Sequence, residues 1–102
     1  MMFSNRIALG TVQFGKSYGV ANLSGQISQD AIASILDYAW SAKIDTLDTA
    51  IAYGESEHRL GEVGVERWKV ITKLPSIPDF CQDVTGFITS SIMGSLNRLK
   101  IS

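Results

Sequence analysis

The chain has 102 residues, nine basic against ten acidic, for a formal net charge of -1. So even a balance offers no field to draw in nucleic acid or anionic lipid, and neither is expected as a partner. With 45% hydrophobic and 19% charged residues, the composition is that of one folded domain rather than a disordered or membrane chain.

Arg6 to Thr11, Arg-Ile-Ala-Leu-Gly-Thr, is a short apolar run stopped by Gly10 and predicts a buried strand. Gln13 to Gln26 predicts a loop, because Gly15, Gly19 and Gly25 stand among Lys16, Ser17, Asn22 and Ser24 without helical period. Ser28 suits a helix N-cap with Asp30 in the first turn, and Ile32, Ile35, Leu36, Ala39 and Trp40 carry the helix to about Lys43. Ile44 to Ala50 is β-branched and too short for several helical turns, so it predicts a strand whose exit loop ends at Tyr53-Gly54.

Ser56 is expected to cap a second, shorter helix that frays at Gly61 or Gly64. Trp68 to Leu74 predicts a third strand, stopped by Pro75 and Pro78. A final helix places Val84, Ile88, Ile92, Leu96 and Leu99 on one face. No window reaches the roughly 18 uninterrupted apolar residues of a membrane span. The start, Met-Met-Phe-Ser-Asn-Arg, lacks the apolar stretch of a secretory signal, and Cys81 has no second cysteine to pair with. A reducing cytoplasm is the expected location.

Strands alternating with helices imply parallel strands joined by right-handed crossovers. An open doubly wound sheet and an eightfold barrel both have this order. A barrel takes about 250 residues, so this length supplies about three units of eight. The expected fold is therefore α/β, a partial (β/α)8 TIM barrel formed by residues 1–102 as a single incomplete domain. A doubly wound nucleotide binder is the weaker choice, since no Gly-x-Gly-x-x-Gly follows the first strand.

In either architecture the strand C-termini form the functional rim. Asp48 closes the second predicted strand, Tyr53 lies in the loop after it, and Lys73 sits at the end of the third. Singly, a strand-end lysine is ordinarily solvated and a loop tyrosine ordinarily packs. Together they suggest a tuned acid: the ammonium stabilises the phenolate, lowering the tyrosine pKa from about 10, and the carboxylate holds the ammonium. Such a tyrosine can protonate a carbonyl oxygen as hydride adds to the carbon.

Glu55, Glu57 and His58 lack a second histidine or thiolate at usable spacing, so no metal site is expected and they read as a solvated helix face. Trp40 and Trp68 read as packing residues. Cys81 reads as a passive thiol, reactive only if a cation or helix N-terminus lowers its pKa.

The wording of several segments is more specific than their period. Leu9-Gly-Thr-Val-Gln-Phe-Gly15, Leu47-Asp-Thr-Ala-Ile-Ala-Tyr-Gly-Glu-Ser-Glu57 with Leu60-Gly61, Val70-Ile-Thr-Lys-Leu-Pro75 and Ser95-Leu-Asn-Arg-Leu99 follow in order. Together they resemble the opening of a bacterial aldo-keto reductase. The resemblance implies a barrel that binds NADPH at its rim and reduces an aldehyde or ketone, with Tyr53 as general acid, Lys73 lowering its pKa and Asp48 partnering Lys73. It also implies that Gly10, Thr11, Val12 and Asp48 line the cofactor. The family's fourth catalytic group is a histidine from the fourth strand, expected beyond Ser102, whereas His58 falls on a helix and reads as a surface residue. The later half of the barrel supplies most cofactor contacts, so the chain alone is expected to be inactive. The alternative is a non-catalytic partial barrel that self-associates as a homo-oligomer through its open edges. Lys43 stands where the family often has glycine, an exchange costing about 1 kcal/mol if the site needs positive φ.

Overall fold

The computed structural model describes residues 6–15 and 27–102. Seven elements follow in the order β1 (Leu9–Gly10), α1 (Val12–Gly15), α2 (Gln29–Ser41), β2 (Thr46–Asp48), α3 (Ser56–Val63), β3 (Lys69–Ile71) and α4 (Val84–Leu99). The strands form one parallel sheet in the order β1-β2-β3. This is the expected alternation of parallel strands and helices.

Register decides which side chains meet. Leu9, Leu47 and Val70 stand abreast in one row, and Gly10, Asp48 and Ile71 in the next. Since successive side chains alternate between faces, the two rows look to opposite sides. The leucine row faces the helices, where Leu47 is fully buried among Ile32, Leu36, Leu60, Trp68 and Leu99. The Gly10 row faces the other way, the side a closed barrel turns inward, and Ile71 there is 51% exposed. Parallel pairing continues past the strand ends: Thr49 N–H donates to the Ile71 carbonyl at 2.8 Å and Ile51 N–H to the Lys73 carbonyl at 3.1 Å.

α2 follows its sequence signals. Ser28 Oγ accepts from Ala31 N–H at 3.2 Å, and Ile32, Leu36 and Ala39 are buried on one face. α2 ends at Ser41, and two residues on Lys43 has φ 68°, so the condition on which the cost of a lysine there depends is met. Beside it Trp40 and Trp68 pack edge to face at 5.1 Å, with the Arg67 guanidinium 4.2 Å above the Trp40 ring.

Three local expectations are corrected. Residues 12–15 form a helical turn instead of loop, because Phe14 buries its ring and Gly15 presses against the loop after β2. A Cβ on Gly15 would overlap the Tyr53 carbonyl. The rest of that predicted loop, residues 16–26, lies outside the described residues. Ser56 is not a cap: Glu55 holds that position, and Ser56 is buried in the first turn of α3.

The second helix is expected to end at Gly61 or Gly64, and of the two it is not Gly61. It lies inside the helix where α4 crosses, and a Cβ there would overlap the Arg98 carbonyl. α3 stops at Gly64, with φ 97°. Lastly, Asp83 caps α4 by accepting from Gly86 N–H at 2.9 Å, but the helix buries Ser95 and Leu99 while Val84 and Ile92 stay exposed. α4 leans on α3, so its predicted stripe is only partly covered. With β3 it walls an apolar groove of about 320 Å³ along Val70, Leu74, Ile92 and Leu96. Among the described residues, no helix is long and apolar enough to cross a membrane.

Candidate functional site at the strand exits

Asp48 ends β2 on the face turned away from the helices, and Lys73, two residues beyond Ile71, comes off the β3 exit on that same side. The Lys73 ammonium donates to Asp48 Oδ1 and to the Thr49 carbonyl, the latter at 2.8 Å. Tyr53 is brought up by the turn after β2, in which its N–H donates to the Ala50 carbonyl at 3.1 Å. Lys73 Nζ lies 5.2 Å from the centroid of the Tyr53 ring. The three residues singled out from the sequence therefore meet on one rim.

The Asp48 hydrogen bond raises the Lys73 pKa above its ordinary value; burial opposes this, and the Asp48 charge and Tyr53 add to it. Lys73 and Asp48 side chains remain 47% and 42% exposed, so the pair is open to a ligand. An ammonium fixed beside a phenol stabilises negative charge that develops on its oxygen.

Of the three residues at the β1 exit, Gly10 lies abreast of Asp48 with no atom within 4 Å of where a Cβ would stand. Val12 is half-buried in α1. Thr11 is fully buried: its hydroxyl donates to the Asp48 carbonyl at 2.9 Å and accepts from Ser56 Oγ at 2.9 Å. Thr11 thus braces Asp48 from behind the rim.

Two buried networks behind the rim escape the sequence reading. In the first, Ser56 Oγ also pairs with Thr49 Oγ1 at 2.9 Å, so three hydroxyls join the exits of β1 and β2 to α3. The second centres on Glu57, which is only 2% exposed. Glu57 Oε2 accepts from Thr72 and Ser95 hydroxyls, both at 2.7 Å, and Oε1 accepts from Arg98 Nε at 2.8 Å. The expected solvated face is thus wrong for Glu57, whose carboxylate is fully hydrogen-bonded inside. Ser95 offered the available clue: it shares a helix face with Leu99 at i, i+4 spacing, so its hydroxyl was bound for the interior and needed an acceptor.

His58 points outward beside Glu62 at 3.4 Å. It lines, with Gln29, Asp30 and Glu55, a cleft of about 690 Å³ between α2 and α3. That cleft includes none of Asp48, Tyr53 or Lys73. Size alone misleads here, because its walls are solvated side chains of two helices rather than strand exits.

The model of the Aldo/keto reductase family matches residues 6–102. A crystal structure from Pseudomonas aeruginosa that carries the name aldo-keto reductase is 35% identical and aligns with a TM-score of 0.75, covering 92% of this chain and 38% of that one. A second solved structure under the same name and from the same organism is 32% identical with a TM-score of 0.73, covering 92% and 36%. This chain thus spans less than two fifths of the length of either. No curated protein gives a significant match.

Proposed function

The chain belongs to the aldo/keto reductase family, and from that premise we propose that it supplies the acid side of an NADPH-dependent reduction of an aldehyde or ketone. Members of the family are oxidoreductases that use a nicotinamide cofactor. The observation that carries the reading is the arrangement of Lys73, held by Asp48 and the Thr49 carbonyl with the Tyr53 ring 5.2 Å away.

The β1 and β2 exits suit a flat ring, since Gly10 leaves open space beside Asp48. Gly10, the Thr11 main chain, Val12 and Asp48 would border the nicotinamide. When bound, NADPH supplies the hydride that adds to the carbonyl carbon. Tyr53 donates its phenolic proton to the carbonyl oxygen, Lys73 stabilises the charge left on the phenolic oxygen, and Asp48 keeps Lys73 in place. The chain's one histidine, His58, lies on α3 away from this rim, so a histidine orienting the carbonyl would have to come from another strand. Three strands offer only part of a cofactor site, and weak binding with little turnover is expected of the chain alone.

A second reading, association between copies of the chain, is favoured by the open β3 edge, where Ile71 and Leu74 are 51% and 44% exposed beside the α4 groove. One experiment addresses both. NADPH is titrated into the chain by nicotinamide fluorescence, with light scattering on the same sample, and the titration is repeated on a Tyr53→Phe, Lys73→Met double variant. Saturation that the double variant weakens at least about tenfold supports the rim. Identical curves for both proteins, or no binding at millimolar cofactor, would remove it, and a monodisperse monomer would remove the second reading.

A further inference from the structure

We propose that Glu57 is the positioning residue that sets the spacing between Tyr53 and Lys73, acting through Thr72. The inference rests on the reading of Tyr53 and Lys73 given above and adds a residue to it. Glu57 follows Tyr53 by four residues, and the turn between them is tied by Ser56 N–H donating to the Tyr53 carbonyl at 3.1 Å. The Glu57 carboxylate therefore moves with the tyrosine. At its other end the carboxylate accepts from Thr72, the residue immediately before Lys73.

β3 is an edge strand, and no regular structure holds residues 72–78 after it. The exit is held to β2 through the Ile71 and Lys73 carbonyls. Among the described residues, Thr72 ties the exit to the helix layer through its hydroxyl, which donates to Glu57. Lys73 reaches Asp48 and Thr49 on one side of the strand while Thr72 is held on the other. The remaining partners of Glu57, Ser95 and Arg98, both come from α4 and fix the carboxylate without touching the rim. A buried carboxylate with three donors has one orientation, which it imposes on the strand exit that carries the lysine.

The test reads Lys73 itself, without cofactor, so it can fail independently of the functional reading. The chain is acetylated with trace reagent at constant mildly alkaline pH. Modification of Lys73 is followed by peptide mass spectrometry against Lys69 and Lys100, whose side chains are 77% and 59% exposed. In the parent chain, Lys73 held by Asp48 reacts more slowly than either reference. Thr72→Val and Glu57→Gln should each speed Lys73 severalfold while the references stay constant, and Thr72→Ser should restore the parent rate. Ser95→Ala, which cuts a bond to the same carboxylate oxygen but leaves β3 attached, should speed Lys73 far less than Thr72→Val does. Equal acceleration by Ser95→Ala and Thr72→Val, acceleration of all lysines together, or no change with Thr72→Val would each overturn the proposal.

Discussion

Lys43 holds a left-handed backbone conformation, φ 68°, at the exit of α2, where its N–H donates to the Trp40 carbonyl at 2.9 Å. A side chain with a Cβ is strained there and glycine is not. Lys43→Gly should therefore raise stability by about 1 kcal/mol in urea unfolding, with an unchanged m-value; equal or lower stability would show that the side chain more than offsets the strain. The places of Asp48, Tyr53 and Lys73 were as legible as that of Lys43, because a residue at a strand end or in the exit just after it needs only the strand to be found. Ser56 and Glu57 were not. Their partners Thr11, Ser95 and Arg98 lie 38 to 45 residues away in the chain, and a helix N-terminus written Ser-Glu has the same local pattern whether solvated or buried.

At the scale of elements, α2 was readable because its cap and its apolar period agree. α4 was readable as a helix but not in its packing. A stripe such as Val84, Ile88, Ile92, Leu96 and Leu99 marks a face suited to burial, but the neighbour at hand, α3, meets the helix at the stripe's last residue, Leu99, and off the stripe at Ser95 and Arg98. Gly61 makes that crossing possible by bringing the α3 backbone against the Arg98 carbonyl. Gly61→Ala, an exchange favourable for an isolated helix, should here destabilise the chain by about 1–3 kcal/mol, because backbone must move to admit the methyl group. Thermal melting of the two proteins checks this, and a higher midpoint for the alanine variant would mean that the helices do not cross so closely.

The described residues form three βα units of a barrel, with helices on one face of the sheet and the Gly10, Asp48 and Ile71 row on the other. Parallel pairing followed from alternation alone. The strand count of the complete barrel did not, because three strands of an open sheet and three of a barrel share one local pattern; the match to residues 6–102 and the superposition at TM-score 0.75 distinguish them. The rim residues gather at the strand exits, while a cleft of about 690 Å³ lies elsewhere, between α2 and α3. The most direct measurement is an NMR titration of the isotope-labelled chain with NADPH, following backbone amides. The account predicts that shifts concentrate at Gly10, Val12, Asp48, Tyr53 and Lys73 and leave α2 and α3 unmoved beyond Ser56. Shifts confined to Asp30, His58 and Glu62, with the strand exits silent, would contradict it.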